Sequence, residues 1–208
     1  MTNFQTMNRY IKNCIYIFSL LFAAGAHAQT AEQIFKAAGS PSHPKVNVSW
    51  NRYYDYAGLT EICKKIAAAH PNLCKMESIG KSYQGRDMWV LTITDFKKGS
   101  PDKKPGMYID GNIHSNEVQG AEFALYTAWY LTESFADSRF VQELLEEKVF
   151  YIIPTINPDA RDNYFHAPNT ASSPRSGLIP IDNDRDGLVD EDGYDDLDGD
   201  GHIVYMRR

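Results

Sequence analysis

His114 and Glu117 are the residues whose types and spacing most directly suggest chemistry. They lie three residues apart, where an apolar segment ending at Ile109 gives way to a sequence with helical periodicity. Side chains at that spacing share one face of a helix, so an imidazole and a carboxylate can converge on one metal ion. Hydrolytic zinc sites usually combine three His or Glu ligands with a water molecule. The pair therefore predicts two of the three protein ligands of a catalytic zinc site.

The segments around this pair predict how it is positioned. Residues 107–109 indicate a buried strand, and residues 116–135 indicate a helix with Asn116 as its N-cap and Gln119 as the partner in a capping box. The helix has an apolar stripe that consists of Val118, Ala121, Leu125, Ala128 and Trp129. The pair would then lie at the carboxyl end of a strand, where open α/β sheets bind their ligands.

Other segments alternate between strand and helix patterns. The predicted helices cover residues 53–69 and 138–147, the predicted strands cover 75–79, 88–94 and 149–153, and a turn is expected at 96–100. Such alternation predicts an α/β fold with a mixed sheet flanked by helices.

Three motifs that follow one another along the chain indicate a class of protein more specifically than the zinc pair alone. They are Ile-Gly-Lys-Ser-Tyr-Gln-Gly-Arg-Asp at 79–87, Gly-Asn-Ile-His-Ser-Asn-Glu at 111–117 and Asn-Pro-Asp-Ala-Arg-Asp at 157–162. Together they resemble the zinc carboxypeptidase family, the metallopeptidases similar to pancreatic carboxypeptidase A. The resemblance covers roughly residues 50–208. It implies the fold of that family and the release of carboxy-terminal residues from peptides or proteins, or the cleavage of cell-wall peptides in a bacterium.

The same resemblance implies roles for individual residues. His114 and Glu117 would be the first two zinc ligands, and Arg175 would be the arginine that polarises the scissile carbonyl, with Arg161 as a rival for that role. The family's third ligand, a His, and its general-base Glu lie beyond the region that aligns with this chain. The later histidines, His166 and His202, are predicted to lie in loops.

Two interpretations of the whole chain follow from these matches and departures. In the first, residues 51–208 are the amino-terminal part of a zinc carboxypeptidase domain that is truncated at its C-terminus. In the second, the chain is a catalytically inactive secreted fragment that binds calcium and has a structural or binding role.

An acidic segment over residues 182–201 predicts calcium binding. Acidic side chains alternate with other residues, and glycines relieve the turns; the expected ligands are Asp182, Asp184, Asp186, Asp190, Asp196, Asp198 and Asp200. Calcium prefers six to eight oxygen ligands, which such loops supply. Leu188 and Ile203 are expected to anchor the apolar side of the two loops, and a solvated acidic surface loop is the alternative.

The charge is concentrated in this segment. The whole chain has a net charge of −6, and residues 182–200 contain ten acidic residues and one arginine, or −9, which leaves +3 for the remainder. The sequence has no basic stripe, and an acidic loop repels phosphates, so we expect no nucleic-acid partner.

The first 28 residues have the layout of a secretory signal peptide. Arg9 and Lys12 precede an apolar stretch over residues 14–24, and a small-x-small cleavage motif ends at Ala28. A membrane anchor is the alternative, but the apolar stretch is short for a bilayer crossing. We therefore expect a secreted or periplasmic protein with no stable membrane span after cleavage. Residues 29–50 are predicted to form an extended arm or linker.

Cys63 and Cys74 are the cysteines that remain after removal of the leader. They are predicted to lie at the end of a helix and the start of a strand. Either a disulfide or two buried thiols would fit an oxidising compartment.

Overall fold

The computed structural model describes residues 39–168, 175, 177–182, 185–189 and 199. The helices are α1 (Tyr56–Ala69), α2 (Gln119–Glu133), α3 (Arg139–Glu147) and α4 (Pro158–His166), and the strands are β1 (Cys74–Lys81), β2 (Asp87–Ile93), β3 (Gly106–Asp110) and β4 (Val149–Ile153). Two short 3₁₀ turns, Phe96–Lys98 and Pro101–Lys103, connect β2 to β3. The predicted leader (residues 1–28) and much of the predicted arm and acidic segment lie outside the described residues.

The four strands form one mixed sheet in the order β1-β2-β4-β3. β1 pairs with β2 and β2 pairs with β4 in antiparallel register, whereas β3 and β4 are parallel. A parallel pair needs a crossover connection, and helices α2 and α3 supply it. The prediction of a mixed α/β sheet flanked by helices is confirmed.

One hydrophobic core joins the helices to the sheet. Four residues of the expected α2 stripe, Ala121, Leu125, Ala128 and Trp129, belong to this core. The core also contains the buried residues of α1 and of the central strands β2 and β4, namely Leu59, Ile62, Cys63, Ile66, Leu91, Ile93, Phe150 and Ile152. Burial of each such aliphatic side chain stabilises the fold by about 1.5–3 kcal/mol before the entropy of ordering is subtracted.

The N-terminal part of the described chain packs on this core. Val46 and Val48 are buried, and the Glu133 carboxylate accepts hydrogen bonds from the backbone amides of Lys45 and Val46 at 2.8 Å each. The indole of Trp129 donates to the Val46 carbonyl at 2.7 Å. These bonds fix the described residues that precede α1 to the C-terminal half of α2.

The prediction that residues 107–109 form a buried strand is wrong in one respect. The strand exists as β3, but Met107 and Tyr108 are 54% and 58% exposed. Within the described part of the chain, β3 pairs only with β4, so it is an edge strand. An edge strand can leave apolar side chains in contact with solvent.

The predicted start of the central helix at Asn116 is also wrong. α2 begins at Gln119, and the preceding Val118 provides no side-chain cap. The reason lies in the loop before the helix, because the Asn112 amide nitrogen donates to the carbonyls of His114, Ser115 and Glu117 at 2.7, 3.2 and 3.3 Å. Those carbonyls are held by a side chain and the chain turns tightly before the helix can start.

Cys63 and Cys74 lie where predicted: Cys63 is in the C-terminal half of α1, and Cys74 is the first residue of β1. Both are buried and free, so the disulfide alternative is not formed in this structure. Burial raises the pKa of the Cys63 thiol well above its usual range, and it raises the pKa of Cys74 to about 12. Thiols in this state are poor nucleophiles.

None of the helices in the part of the chain that the structure describes has the length and apolar character that a bilayer crossing requires.

Candidate metal centre

His114 and Glu117 come together in the loop that links β3 to α2. The His114 Nδ1 atom lies 3.1 Å from the Glu117 Oε2 atom, and the side chains are 35% and 51% exposed. Two zinc donors with bonds of about 2.0–2.2 Å at a tetrahedral angle are roughly 3.4 Å apart. The separation of this nitrogen and oxygen therefore fits a shared zinc ion, and the exposed side of the pair leaves room for further ligands.

Arg175 lies beside the same pair. Its Nη2 atom is 3.3 Å from Glu117 Oε1, and the Ser115 amide donates to the Arg175 carbonyl at 3.0 Å. The guanidinium is half exposed, so a ligand that approaches His114 can also reach a fixed positive charge.

Arg161, the rival for that role, is completely buried. Its guanidinium pairs with the Glu122 carboxylate at 2.6 Å and donates to Asn112 Oδ1 at 3.0 Å and to the Val118 carbonyl at 3.1 Å. It also bonds to the carbonyl of Tyr54. A guanidinium with these partners is committed to the interior and does not face the metal pair.

Asn112 connects the buried Arg161 to the loop that carries His114 and Glu117. This role of Asn112 was not identified from the sequence. The side-chain oxygen accepts from Arg161 while the nitrogen holds the carbonyls of His114 and Glu117. Asn112 has a positive φ of 52°. A Gly-Asn pair after a strand was a usable signal, because Asn adopts left-handed backbone conformations more readily than most residues. Nothing local signalled that Arg161 would be buried, since arginine is seldom buried.

Gly111 lets the loop that carries His114 and Glu117 approach the first turn of α2. A Cβ atom on Gly111 would lie 2.6 Å from the carbonyl carbon of Gly120 and 3.0 Å from the amide nitrogen of Ala121, and closer still to the Gly120 oxygen. These are backbone atoms, which cannot rotate away. The close packing of loop and helix at this point therefore requires glycine.

We expect Gly111→Ala to destabilise the fold by about 3 kcal/mol, because the added methyl must displace helix backbone. Urea unfolding would measure this cost. Gly85→Ala is the matched control: Gly85 has a φ of +83° with no atom within 4 Å, so only backbone strain of about 1 kcal/mol is expected there. Equal costs for the two variants would contradict a steric role for Gly111.

Asp159 joins two of the sequence motifs. Its carboxylate accepts from the Ser82 hydroxyl at 2.6 Å, the Gln84 amide at 2.9 Å and the Arg86 guanidinium at 3.0 Å. Burial raises the pKa of Asp159, but these hydrogen bonds outweigh it and hold the pKa below its usual range. The network fixes the β1–β2 hairpin to the start of α4.

This network gives an acid-sensitive contribution to stability. A carboxyl whose pKa is lower in the folded state stabilises the fold above its unfolded pKa of about 3.9, and that stabilisation is lost as the pH falls through the folded pKa. Asp159→Asn is expected to cost about 1.5–3 kcal/mol at neutral pH, and the cost should shrink below about pH 4. Urea unfolding at several pH values would measure it; a pH-independent difference would contradict the assignment.

In the described part of the acidic segment, the carboxylates accept hydrogen bonds from backbone amides of the same segment. Asp182 accepts from the amides of Arg185 at 2.5 Å and Gly187 at 2.9 Å, and Asp186 accepts from Leu188 at 2.8 Å. Leu188 is 60% exposed, so its predicted role as an apolar anchor is wrong for this loop. Asp184, Asp190, Asp196, Asp198, Asp200, His202 and Ile203 lie outside the described residues.

His166 was predicted to lie in a loop, and this is wrong. It is the last residue of α4, because Asn157 caps that helix by accepting from the Ala160 amide at 3.2 Å and Pro158 occupies the first turn. The Asn-Pro-Asp sequence therefore starts a helix that buries Asp159 and Arg161 and ends at the exposed His166.

The family model for zinc carboxypeptidases matches residues 59–172. This chain therefore belongs to the zinc carboxypeptidase family. Among its relatives, carboxypeptidase B of Astacus astacus is 35% identical over 113 residues, which are 54% of this chain and 35% of that protein. A zinc carboxypeptidase of Saccharothrix mutabilis subsp. capreolus is 30% identical over 107 residues, 51% of this chain and 24% of that protein.

A third relative is described as inactive. The inactive metallocarboxypeptidase ECM14 of Ajellomyces capsulatus is 30% identical over 128 residues, 62% of this chain and 21% of that protein. The chain thus spans 21–35% of the length of these three curated relatives.

Solved structures have a similar fold. Bovine thrombin-activatable fibrinolysis inhibitor, solved with tick carboxypeptidase inhibitor, superposes with a TM-score of 0.53 at 21% identity over 68% of this chain and 42% of that chain. Carboxypeptidase A from Helicoverpa armigera gives 0.51 at 20% identity over 75% of this chain and 34% of that chain. The sheet and helices described above are therefore part of a carboxypeptidase A-like fold.

Proposed function

We propose that this chain is the amino-terminal part of a secreted zinc metallocarboxypeptidase that hydrolyses peptide bonds at the C-terminus of peptides. The observation that carries the proposal is the convergence of His114, Glu117 and Arg175 beyond the carboxyl end of β3. Family membership supports zinc as the metal. In this proposal residues 1–28 are a signal peptide, residues 29–50 an arm and residues 51–208 the partial domain.

His114 and Glu117 would hold the zinc, and Arg175 would lie next to the scissile carbonyl. Zinc bound there supplies a Lewis acid that polarises a carbonyl and lowers the pKa of water. The Arg175 guanidinium would stabilise the negative charge that develops on the carbonyl oxygen, because a fixed cation is most effective where charge appears. Asn112 would keep both ligands in place through their backbone carbonyls. The third ligand and the general base of the family are assigned to no described residue.

The test is zinc-dependent release of a carboxy-terminal residue. The protein of which this chain is proposed to be the amino-terminal part would be stripped with a chelator, reloaded with zinc, and assayed on peptides with free and amidated C-termini. Activity on free C-termini that appears only with zinc supports the proposal. Zinc retention without hydrolysis supports the inactive alternative below, and the absence of zinc retention overturns both the zinc site and the catalytic proposal.

A second candidate function is a catalytically inactive secreted protein that binds calcium. One observation favours it: a relative of comparable identity is itself described as inactive.

We also propose that the acidic segment over residues 182–201 binds calcium through Asp182, Asp184, Asp186, Asp190, Asp196, Asp198 and Asp200. Bound calcium would neutralise carboxylates that otherwise repel one another. Calcium-selective chelation is then expected to lower the melting temperature by several degrees, at chelator concentrations that leave zinc in place. Differential scanning calorimetry with magnesium as the control would test this; an unchanged melting temperature and unchanged protease resistance would contradict it.

A further inference from the structure

A second group of potential metal ligands lies where α4 meets the start of α1. It consists of Asp55, Asp162 and His166, each of which offers one ligand atom within 4.8 Å of the others. The His166 Nε2 atom is 3.0 Å from Asp55 Oδ2 and 3.7 Å from Asp162 Oδ1. None of these residues belongs to the His114–Glu117 pair or to the acidic segment.

Each carboxylate in this group is oriented by a bond from its other oxygen. Asp55 caps α1, because its Oδ1 atom accepts from the Gly58 amide at 2.8 Å. The Oδ2 atom of Asp162 accepts from Arg86 at 2.5 Å. Hydrogen bonds from outside a metal site fix the orientation of its ligands in this way. The two remaining oxygens face the imidazole nitrogen.

The local charge favours a divalent cation. Asp55, Asp159 and Asp162 contribute three negative charges and Arg86 contributes one positive charge, so this group carries −2 when His166 is neutral. The buried ion pair of Arg161 and Glu122 adds no net charge. A divalent ion would neutralise this sum, whereas protonation of His166 would offset only half of it.

The ligand chemistry narrows the choice of ion. Calcium and magnesium prefer sets made only of oxygen ligands, whereas an imidazole nitrogen favours zinc and its transition-metal neighbours. The side chains are 58% (His166), 33% (Asp55) and 22% (Asp162) exposed, so water can complete the coordination.

We propose that Asp55, Asp162 and His166 form a second, structural zinc site that joins the C-terminal end of α4 to the N-terminal end of α1. Asp162 and His166 are four residues apart on one face of α4, and Asp55 comes from a segment more than one hundred residues earlier. An ion held by both segments would stabilise the folded arrangement, because the ligands are far apart in the unfolded chain. It would also hold the helix that carries Arg161.

The experiment separates this site from the metal centre. The 208-residue chain carrying His114→Ala and Glu117→Gln would be stripped of metal and titrated with zinc by calorimetry, in excess calcium to fill oxygen-only sites. We expect saturable binding of one zinc ion per chain and a rise in melting temperature. His166→Gln and Asp55→Asn should each weaken that binding by at least about tenfold.

The two variants were chosen to leave local structure intact. Asn caps helices about as well as Asp, so Asp55→Asn keeps the α1 cap, and His166→Gln keeps the Arg86–Asp162 ion pair. Glu143→Gln, which removes an exposed carboxylate on α3, is the control and should leave zinc affinity unchanged. The site would be overturned by unchanged affinity in both His166→Gln and Asp55→Asn, or by the absence of saturable binding in the chain that carries only His114→Ala and Glu117→Gln. His166 would then form only ion pairs with Asp55 and Asp162. Neither result depends on hydrolytic activity.

Discussion

Replacing His114 by alanine is expected to lower zinc affinity at the proposed metal centre by at least about 100-fold, and to abolish the zinc-dependent hydrolysis proposed for the protein that contains this chain. His114 supplies an imidazole nitrogen 3.1 Å from the Glu117 carboxylate. Without it, one half-exposed carboxylate remains, and Arg175 competes for that carboxylate at 3.3 Å. A single oxygen ligand next to a guanidinium is a poor zinc site.

Competition between the protein and a chromophoric zinc chelator would measure the affinity. The background should carry His166→Gln, so that the proposed second site does not contribute. His43→Ala, which removes an exposed histidine outside the metal centre, is the matched control and should leave affinity and turnover unchanged. Full zinc retention and hydrolysis in His114→Ala would show that the metal is held elsewhere.

Replacing Arg161 by methionine is expected to destabilise the fold by about 3–5 kcal/mol. The change removes a buried cation and leaves the Glu122 carboxylate, the Asn112 side-chain oxygen and the Val118 carbonyl without this donor. Burial lowers the pKa of Arg161, and the Glu122 carboxylate opposes that effect. Most of the expected cost comes from the negative charge that stays behind in the interior.

A double-mutant cycle would separate these contributions. Adding Glu122→Gln to Arg161→Met removes the uncompensated charge, so the double variant should be more stable than Arg161→Met alone. Arg139→Met is the control, because Arg139 forms an exposed pair with Glu143 at 2.7 Å and should contribute less than about 1 kcal/mol. A cost for Arg161→Met no larger than that of the control would contradict its role as a buried support.

The sequence predicted the elements whose causes are local. The stripe from Val118 to Trp129 and the apolar run over residues 149–153 specify a helix and a strand through burial alone, and both occur. The spacing of His114 and Glu117 likewise brought two potential ligands together. These patterns require no knowledge of distant residues.

Features that depend on distant partners were not predictable. Asn112 delays the start of α2 because its amide binds three carbonyls, and it is itself held by Arg161 from 49 residues later in the chain. The exposure of β3 depends on its place in the strand order, which periodicity does not contain. The position of His166 depends on the helix cap that Asn157 provides. The interpretation of the Asn-Pro-Asp motif as a simple turn did not include that cap.

The unpaired side of β3 has a consequence for the behaviour of this chain in solution. Backbone donors and acceptors on that side face outward in the described part of the molecule, next to the exposed side chains of Met107 and Tyr108. Such an edge is a template on which another extended chain can add by hydrogen bonding. Self-association through this edge would compete with folding at high concentration. The chain would remain monodisperse only where another strand or segment paired with the free side of β3.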